Sequence, residues 1–171
     1  MNLFKKTFTI FALGLIYTYP ISAQIITTIA GEATGNPDAN GIEAIHAAIS
    51  MPWAVATDIA GNVYFSEPYK HRVRKIDVEG NIFTIAGNGT SGRSGDNYPA
   101  TDAQLNTPYG IAADGQGNLY IADYGNNRIR KVNPAGIIST CKAFAFKPMD
   151  ITLDTAGNLY VAEEGIMTVS K

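Results

Sequence analysis

Three carboxylates and two arginines recur at fixed spacing in this chain, and repeated charge is the first place to look for chemistry. Glu67, Asp123 and Glu163 each end a short apolar run, and Arg72 and Arg128 stand five residues after the first two. Carboxylates spaced in this way can form a charged rim that holds a cation or polarises a ligand. They can equally pair with the arginines inside one structural unit. Because both charges repeat together, pairing is the favoured reading. Trp53, Tyr109 and Met149 also share a position, directly after Pro52, Pro108 and Pro148. Large side chains there either meet a ligand at the mouth of a channel or cap the core.

Other residues point away from catalysis. His46 and His71 are the only histidines, in contexts that do not repeat, whereas zinc or histidine chemistry needs several convergent groups. No Gly-x-Ser-x-Gly elbow occurs. The run Gly87 to Gly95 lacks the Gly-Lys-Ser/Thr ending of a phosphate loop and reads as a surface connector. Asp58, Asp114 and Asp154 resemble fragments of calcium loops without the further carboxylates a hard cation requires, so turn capping is the expectation. No catalytic residue, metal ligand set or cofactor is assigned, and enzymatic activity is disfavoured.

The framework carrying these residues emerges when the chain is slid along itself. At an offset of 56, Thr28-Ile-Ala-Gly31 falls on Thr84-Ile-Ala-Gly87, Pro52 on Pro108, Asp58 on Asp114, Tyr64 on Tyr120 and Arg74-Lys75 on Arg130-Lys131. A third copy follows 40 residues later, with Pro148, Asp154 and Tyr160 in register. A unit of about 40 residues rich in short strands has the size of a propeller blade. Asn118-Leu-Tyr-Ile-Ala-Asp123 is apolar on both alternating faces, as a strand stacked between neighbours must be. Tyr109 to Asp114 forms a small-residue inner strand, Arg128 to Val132 a polar third strand and Ile137 to Thr140 a fourth. Each Asp-three-Asn join reads as a hairpin with a left-handed glycine. Tyr64, Tyr120 and Tyr160 lie mid-strand and are expected in the core. The expected fold is all-β, with four-stranded antiparallel blades at about 49–87, 105–142 and 146–171, two complete and the third partial.

Pro108-Tyr-Gly-Ile-Ala-Ala-Asp, Gly117-Asn-Leu-Tyr-Ile-Ala-Asp and Asn126-Asn-Arg-Ile-Arg-Lys-Val together resemble NHL repeats. The link from Gly92 to Leu105 is similar to the inter-blade loop of bacterial and teneurin-type NHL propellers. The resemblance implies a scaffold that binds proteins, peptides, RNA or sugars, with lactonase-like and lyase-like enzymes among its relatives. The third copy departs from it, carrying Thr168 and Ser170 where Arg128 and Arg130 stand. Residues 25–30 match a fourth strand and are expected to close the last blade. Three blades fall short of the four to eight of closed propellers, so a truncated remnant and a homo-oligomer sharing blades are both consistent with the count.

Residues 1–23 have the layout of a secretory signal peptide, with Lys5 and Lys6 before the apolar run Phe8 to Ile16 and a small-residue site ending at Ala23. Cleavage there leaves residues 24–171 as the propeller segment. Removing the two lysines from 13 basic residues leaves 11 against 15 acidic, a formal net of −4, which offers nothing to nucleic acid or an anionic membrane. Cys141 is the only cysteine, so no internal disulfide is available, and its apolar run predicts burial. The functional expectation is a secreted module binding a protein, peptide or glycan. The alternatives are a metal-assisted lactonase-like or lyase-like enzyme using Glu67, Asp123 and Glu163, or a remnant without its own function.

Overall fold

The computed structural model describes residues 7–12, 15–20, 26–144, 146–165 and 168–171. The cleavage site expected at Ala23 lies outside them. Near the start of the chain, β1 (Thr7–Ala12) and β2 (Leu15–Pro20) pair as an antiparallel hairpin. No described helix is long and apolar enough to cross a membrane.

Three antiparallel sheets follow, one per repeat. The first contains β3 (Ile42–Glu43), β4 (Val55–Thr57), β5 (Val63–Glu67), β6 (Arg72–Ile76) and β7 (Asn81–Ala86), in the spatial order β3-β7-β6-β5-β4. The second contains β8 (Pro108–Ala113), β9 (Leu119–Asp123), β10 (Arg128–Val132) and β11 (Ile138–Ala143) in simple meander order. The third contains β12 (Lys147–Leu153), β13 (Leu159–Glu164) and β14 (Thr168–Ser170). The sheets are the blades of a partial propeller.

The turns follow the sequence chemistry. Asp58 accepts hydrogen bonds from the N–H groups of Ala60 and Asn62 at 3.0 and 2.9 Å, and Gly61 at φ 92° completes the hairpin. Asp114 and Asp154 repeat this arrangement. Between the second and third strands of the first two blades, a short 3-10 turn ends on a left-handed residue, His71 at φ 49° and Asn127 at φ 55°. Asparagine and histidine are among the non-glycine residues that tolerate this conformation.

Apolar clusters form between blades. Ile111, Leu119 and Ile121 of the second blade bury against Ala54, Ala56 and Tyr64 of the first. Ile151, Leu159 and Val161 of the third bury against Ala112, Tyr120 and Ala122 of the second. The connector from Gly87 to Leu105 is more than a surface link: Ala100, Ala103 and Leu105 are buried in the first junction.

Several sequence expectations change. Tyr64, Tyr120 and Tyr160 are half-buried, because each phenol reaches out of the sheet to donate to the turn aspartate, at 2.9, 3.4 and 3.1 Å. Cys141 is exposed. It falls in the bulge where Ile129 pairs with Lys142 and Arg130 with Thr140, which leaves residue 141 without a ladder partner on the outermost strand. The third strands are less polar in setting than their composition suggests, since Arg74 and Arg130 are fully buried. Residues 26–30 carry no strand and no ladder to β14 among the described residues.

Candidate functional site

The inner strands β4, β8 and β12 line an open concave groove of about 580 Å³. Strands β4 and β8 give it a mainly apolar wall that includes Val55 and Ile111, ending at Thr57, and only β12 alternates apolar with polar groups, with Asp150 and Thr152 set between Met149, Ile151 and Leu153. The second and third blades approach closely beside it, at Gly110 and Asp150. A Cβ on Gly110 would lie 2.5 Å from the Asp150 Cα, so only glycine allows this contact.

Trp53 and Met149 sit on the groove wall, 58% and 36% exposed. The Trp53 and Tyr109 rings stack with centroids 4.6 Å apart and planes at 16°. Tyr124 continues the row, 4.5 Å from Tyr109 at 38°. The Lys147 ammonium lies 4.8 Å from the Tyr124 ring, and the Tyr124 hydroxyl donates to the Glu164 carboxylate. That hydrogen bond, chiefly, pushes the Tyr124 phenol up to about 12. The row therefore presents ring edges and the exposed indole of Trp53, with a cation and a carboxylate at its Tyr124 end. Ser66 fixes its base, donating to the Tyr109 carbonyl at 2.7 Å and accepting from the Ala54 N–H at 3.2 Å. Tyr124, Lys147, Glu164 and Asp150 escape the repeat analysis because their equivalents differ: Pro68 stands in the first blade where Tyr124 stands in the second.

The three carboxylates, read either as a rim or as partners of the arginines, lie inside the protein. Glu67 and Asp123 are fully buried, Arg72 is 6% exposed and Glu163 9%. Glu67 accepts from the Ser50 N–H and from Arg72 Nε, both at 2.6 Å, with Arg74 at 3.7 Å. Asp123 accepts from the Asn106 N–H and Asn126 Nδ2, both at 2.7 Å, with Arg130 at 3.7 Å. Arg128 faces Asp123 across the ladder, but its guanidinium donates to Thr140 at 3.3 Å. The arginines also hold the connectors. Arg74 and Arg72 donate to the Pro37 carbonyl, and Arg130 donates to Asp96 at 2.9 Å. Burial pushes the Asp123 carboxyl up to about 6 against these hydrogen bonds. The chemistry of this set is to fasten connector to blade, because a buried charge is tolerated only when paired.

His71 accepts a hydrogen bond from the Thr107 N–H at 3.2 Å through Nδ1, linking the first blade to the start of the second. His46 lies apart, 3.3 Å from the Glu32 carboxylate. Among the described residues no three His, Cys, Asp or Glu side chains converge in a way that could hold a metal.

Residues 88–144 match the teneurin NHL domain. The chain is 36% identical to mouse (Mus musculus) teneurin-3 over 107 residues and 37% identical to human (Homo sapiens) teneurin-4 over 100 residues, matches that cover 54% and 51% of this chain. It spans only 4% of the length of either. The Arabidopsis thaliana chloroplastic protein SUPPRESSOR OF QUENCHING 1 is 31% identical over 100 residues, covering 58% of this chain and 9% of that protein. In structure, a Bacteroides thetaiotaomicron protein of unknown function superposes with a TM-score of 0.66 at 22% identity, over 90% of this chain and 40% of that one. A Xanthomonas campestris gluconolactonase superposes at 0.51 with 15% identity, over 67% of this chain and 35% of that enzyme, a likeness of fold alone. The NHL resemblance read from the repeats therefore extends to the teneurin NHL domain over residues 88–144, and the fold is a partial all-β propeller.

Proposed function

We propose that this chain is an exported binding module that holds a polypeptide segment along the groove, anchored on the Trp53–Tyr109–Tyr124 row. The observation that carries the reading is the stack itself, since a large ring left 58% exposed beside a concave wall has the form of a binding anchor. The alternation of apolar and polar residues along β12 suits an extended backbone whose side chains alternate likewise, and the apolar β4 and β8 wall suits its apolar side chains. Lys147 and Glu164 can orient its charged groups. The leader-like start of the chain supports export, and the match to an NHL domain supports a scaffold for recognition. That Glu67 and Asp123 accept hydrogen bonds from side-chain and backbone N–H groups supports the binding reading over the metal-assisted one.

Trp53 is the only tryptophan, so its emission reports on the groove directly. Peptides selected from a displayed random library should shift that emission, and Trp53→Ala should weaken them by about 10–30-fold without changing the melting temperature. Peptides that bind Trp53→Ala as tightly as the parent would overturn the reading. A response only to immobilised oligosaccharides would replace the polypeptide by a glycan.

A further inference from the structure

The two blade junctions obey one rule. At the first, Ala56 and Tyr64 cover Ile111, Leu119 and Ile121. At the second, the residues one repeat later, Ala112 and Tyr120, cover Ile151, Leu159 and Val161. Shifting the rule back by 56 residues assigns the covered role in the first blade to Val55, Val63 and Phe65. Shifting it forward by 40 assigns the covering role in the third blade to Thr152 and Tyr160, with Ala162 where Ala122 stands.

Among the described residues neither face is occupied as the rule requires. Val55 is 66% exposed, against 5% for Ile111 at the equivalent position. Val63 is half-buried where Leu119 is buried, although Phe65 is shielded by the connector cluster of Ala39, Ala44 and Ala47. On the third blade Thr152 is exposed, and Tyr160 and Ala162 are half-buried. One end of the array thus presents the apolar socket and the other end presents the small-residue-and-tyrosine surface that fills such sockets at both internal junctions.

We propose that these faces join two copies of this chain, the third blade of each seating on the first blade of the other, so that six blades close around one central channel. A head-to-tail contact of this kind generates a closed ring when the rotation per blade fits and an open filament when it does not. With two copies the contact forms twice, and each groove becomes half of the channel wall. The occupant is a second copy because the complementary surface is present on the chain itself, with the residue types that two existing junctions already pack.

Sedimentation equilibrium of the full chain at micromolar concentration, with reductant to keep the exposed Cys141 a thiol, should return twice the chain mass. Val55→Glu should shift the mass to that of one chain, as should Thr152→Arg. Combining them places opposite charges where Val55 meets Thr152 across the contact, and should restore the doubled mass. Both positions are exposed within one copy, so the variants should keep the parent's circular dichroism. Val78 sits on a turn and is 68% exposed, and Val78→Glu should leave the mass doubled. A parent of single-chain mass, an open-ended series of larger species, or a dimer indifferent to Val55→Glu and Thr152→Arg would each overturn the proposal.

Discussion

Val55 and Ile111 occupy the same place in successive repeats, on inner strands of the same pattern, and 66% of one is exposed against 5% of the other. The difference lies in what stands in front of each strand. The first blade covers Ile111, while Val55 faces the open side of the array. A blade apolar on both faces cannot bury either by folding alone. Burial in such a fold belongs to the junction, so equivalent substitutions should have unequal effects along the chain.

The largest expected contrast is at that pair. Ile111→Ala should cost about 3 kcal/mol in urea denaturation, because it removes buried methylenes and leaves a cavity at a filled junction. Val55→Ala should cost less than about 0.5 kcal/mol in a single copy. Equal losses would erase the contrast and show that the leading face of the first blade is already covered.

A smaller contrast separates a buried carboxylate from the turn carboxylates. The Asp123 carboxyl is pushed up to about 6 by burial, so its protonated form is favoured in the folded chain. The stability it contributes is full below pH about 4 and is lost as pH rises through about 6, a change on the order of 2–3 kcal/mol. Asp123→Asn should remove that slope between about pH 4 and 6.5. The turn aspartates behave in the opposite way. Asp154 is held down at about 2, chiefly by its hydrogen bond from Asn158. Desolvation pushes Asp114 upward, but hydrogen bonds from Asn118 and Gln116 outweigh it and leave the carboxyl lowered. The contribution of these turns is present above pH about 4 and fades as pH falls towards 2. Denaturation midpoints followed across pH should therefore fall on both sides of about pH 4, and a flat profile from about pH 4 to 6.5 in the parent would remove Asp123 as the cause.

The smallest effect is expected at the hairpins. Asp114→Ala deletes the acceptor for the Gln116 and Asn118 N–H groups and for the Tyr120 hydroxyl. A loss of about 1 kcal/mol is expected by urea denaturation, comparable to removing a cap. Tyr120→Phe should cost less, since its bond to Asp114 is long at 3.4 Å.

The repeat makes the strands and hairpins legible in the sequence, because strand periodicity and turn chemistry are local. Asp58, Asp114 and Asp154 cap their turns as their spacing implies, and Glu67 meets Arg72 across a hairpin of five residues' separation. The aromatic row is half legible. Trp53, Tyr109 and Met149 share a repeat position, but Tyr124 joins them only through a turn that the first blade builds differently.

Local chemistry along the chain specifies the unit: its strand order, its turn residues and the apolar faces that oblige each blade to find a neighbour. Long-range packing specifies which groups lie inside. Arg74 and Arg130 look like surface charges on a polar strand, yet they are fully buried because the connectors fold over them and supply carbonyl oxygens and Asp96 as acceptors. Cys141 lies in an apolar run, yet a bulge turns it out to solvent. Burial depends on what packs against a residue from a distant part of the chain, and no local pattern carries that information.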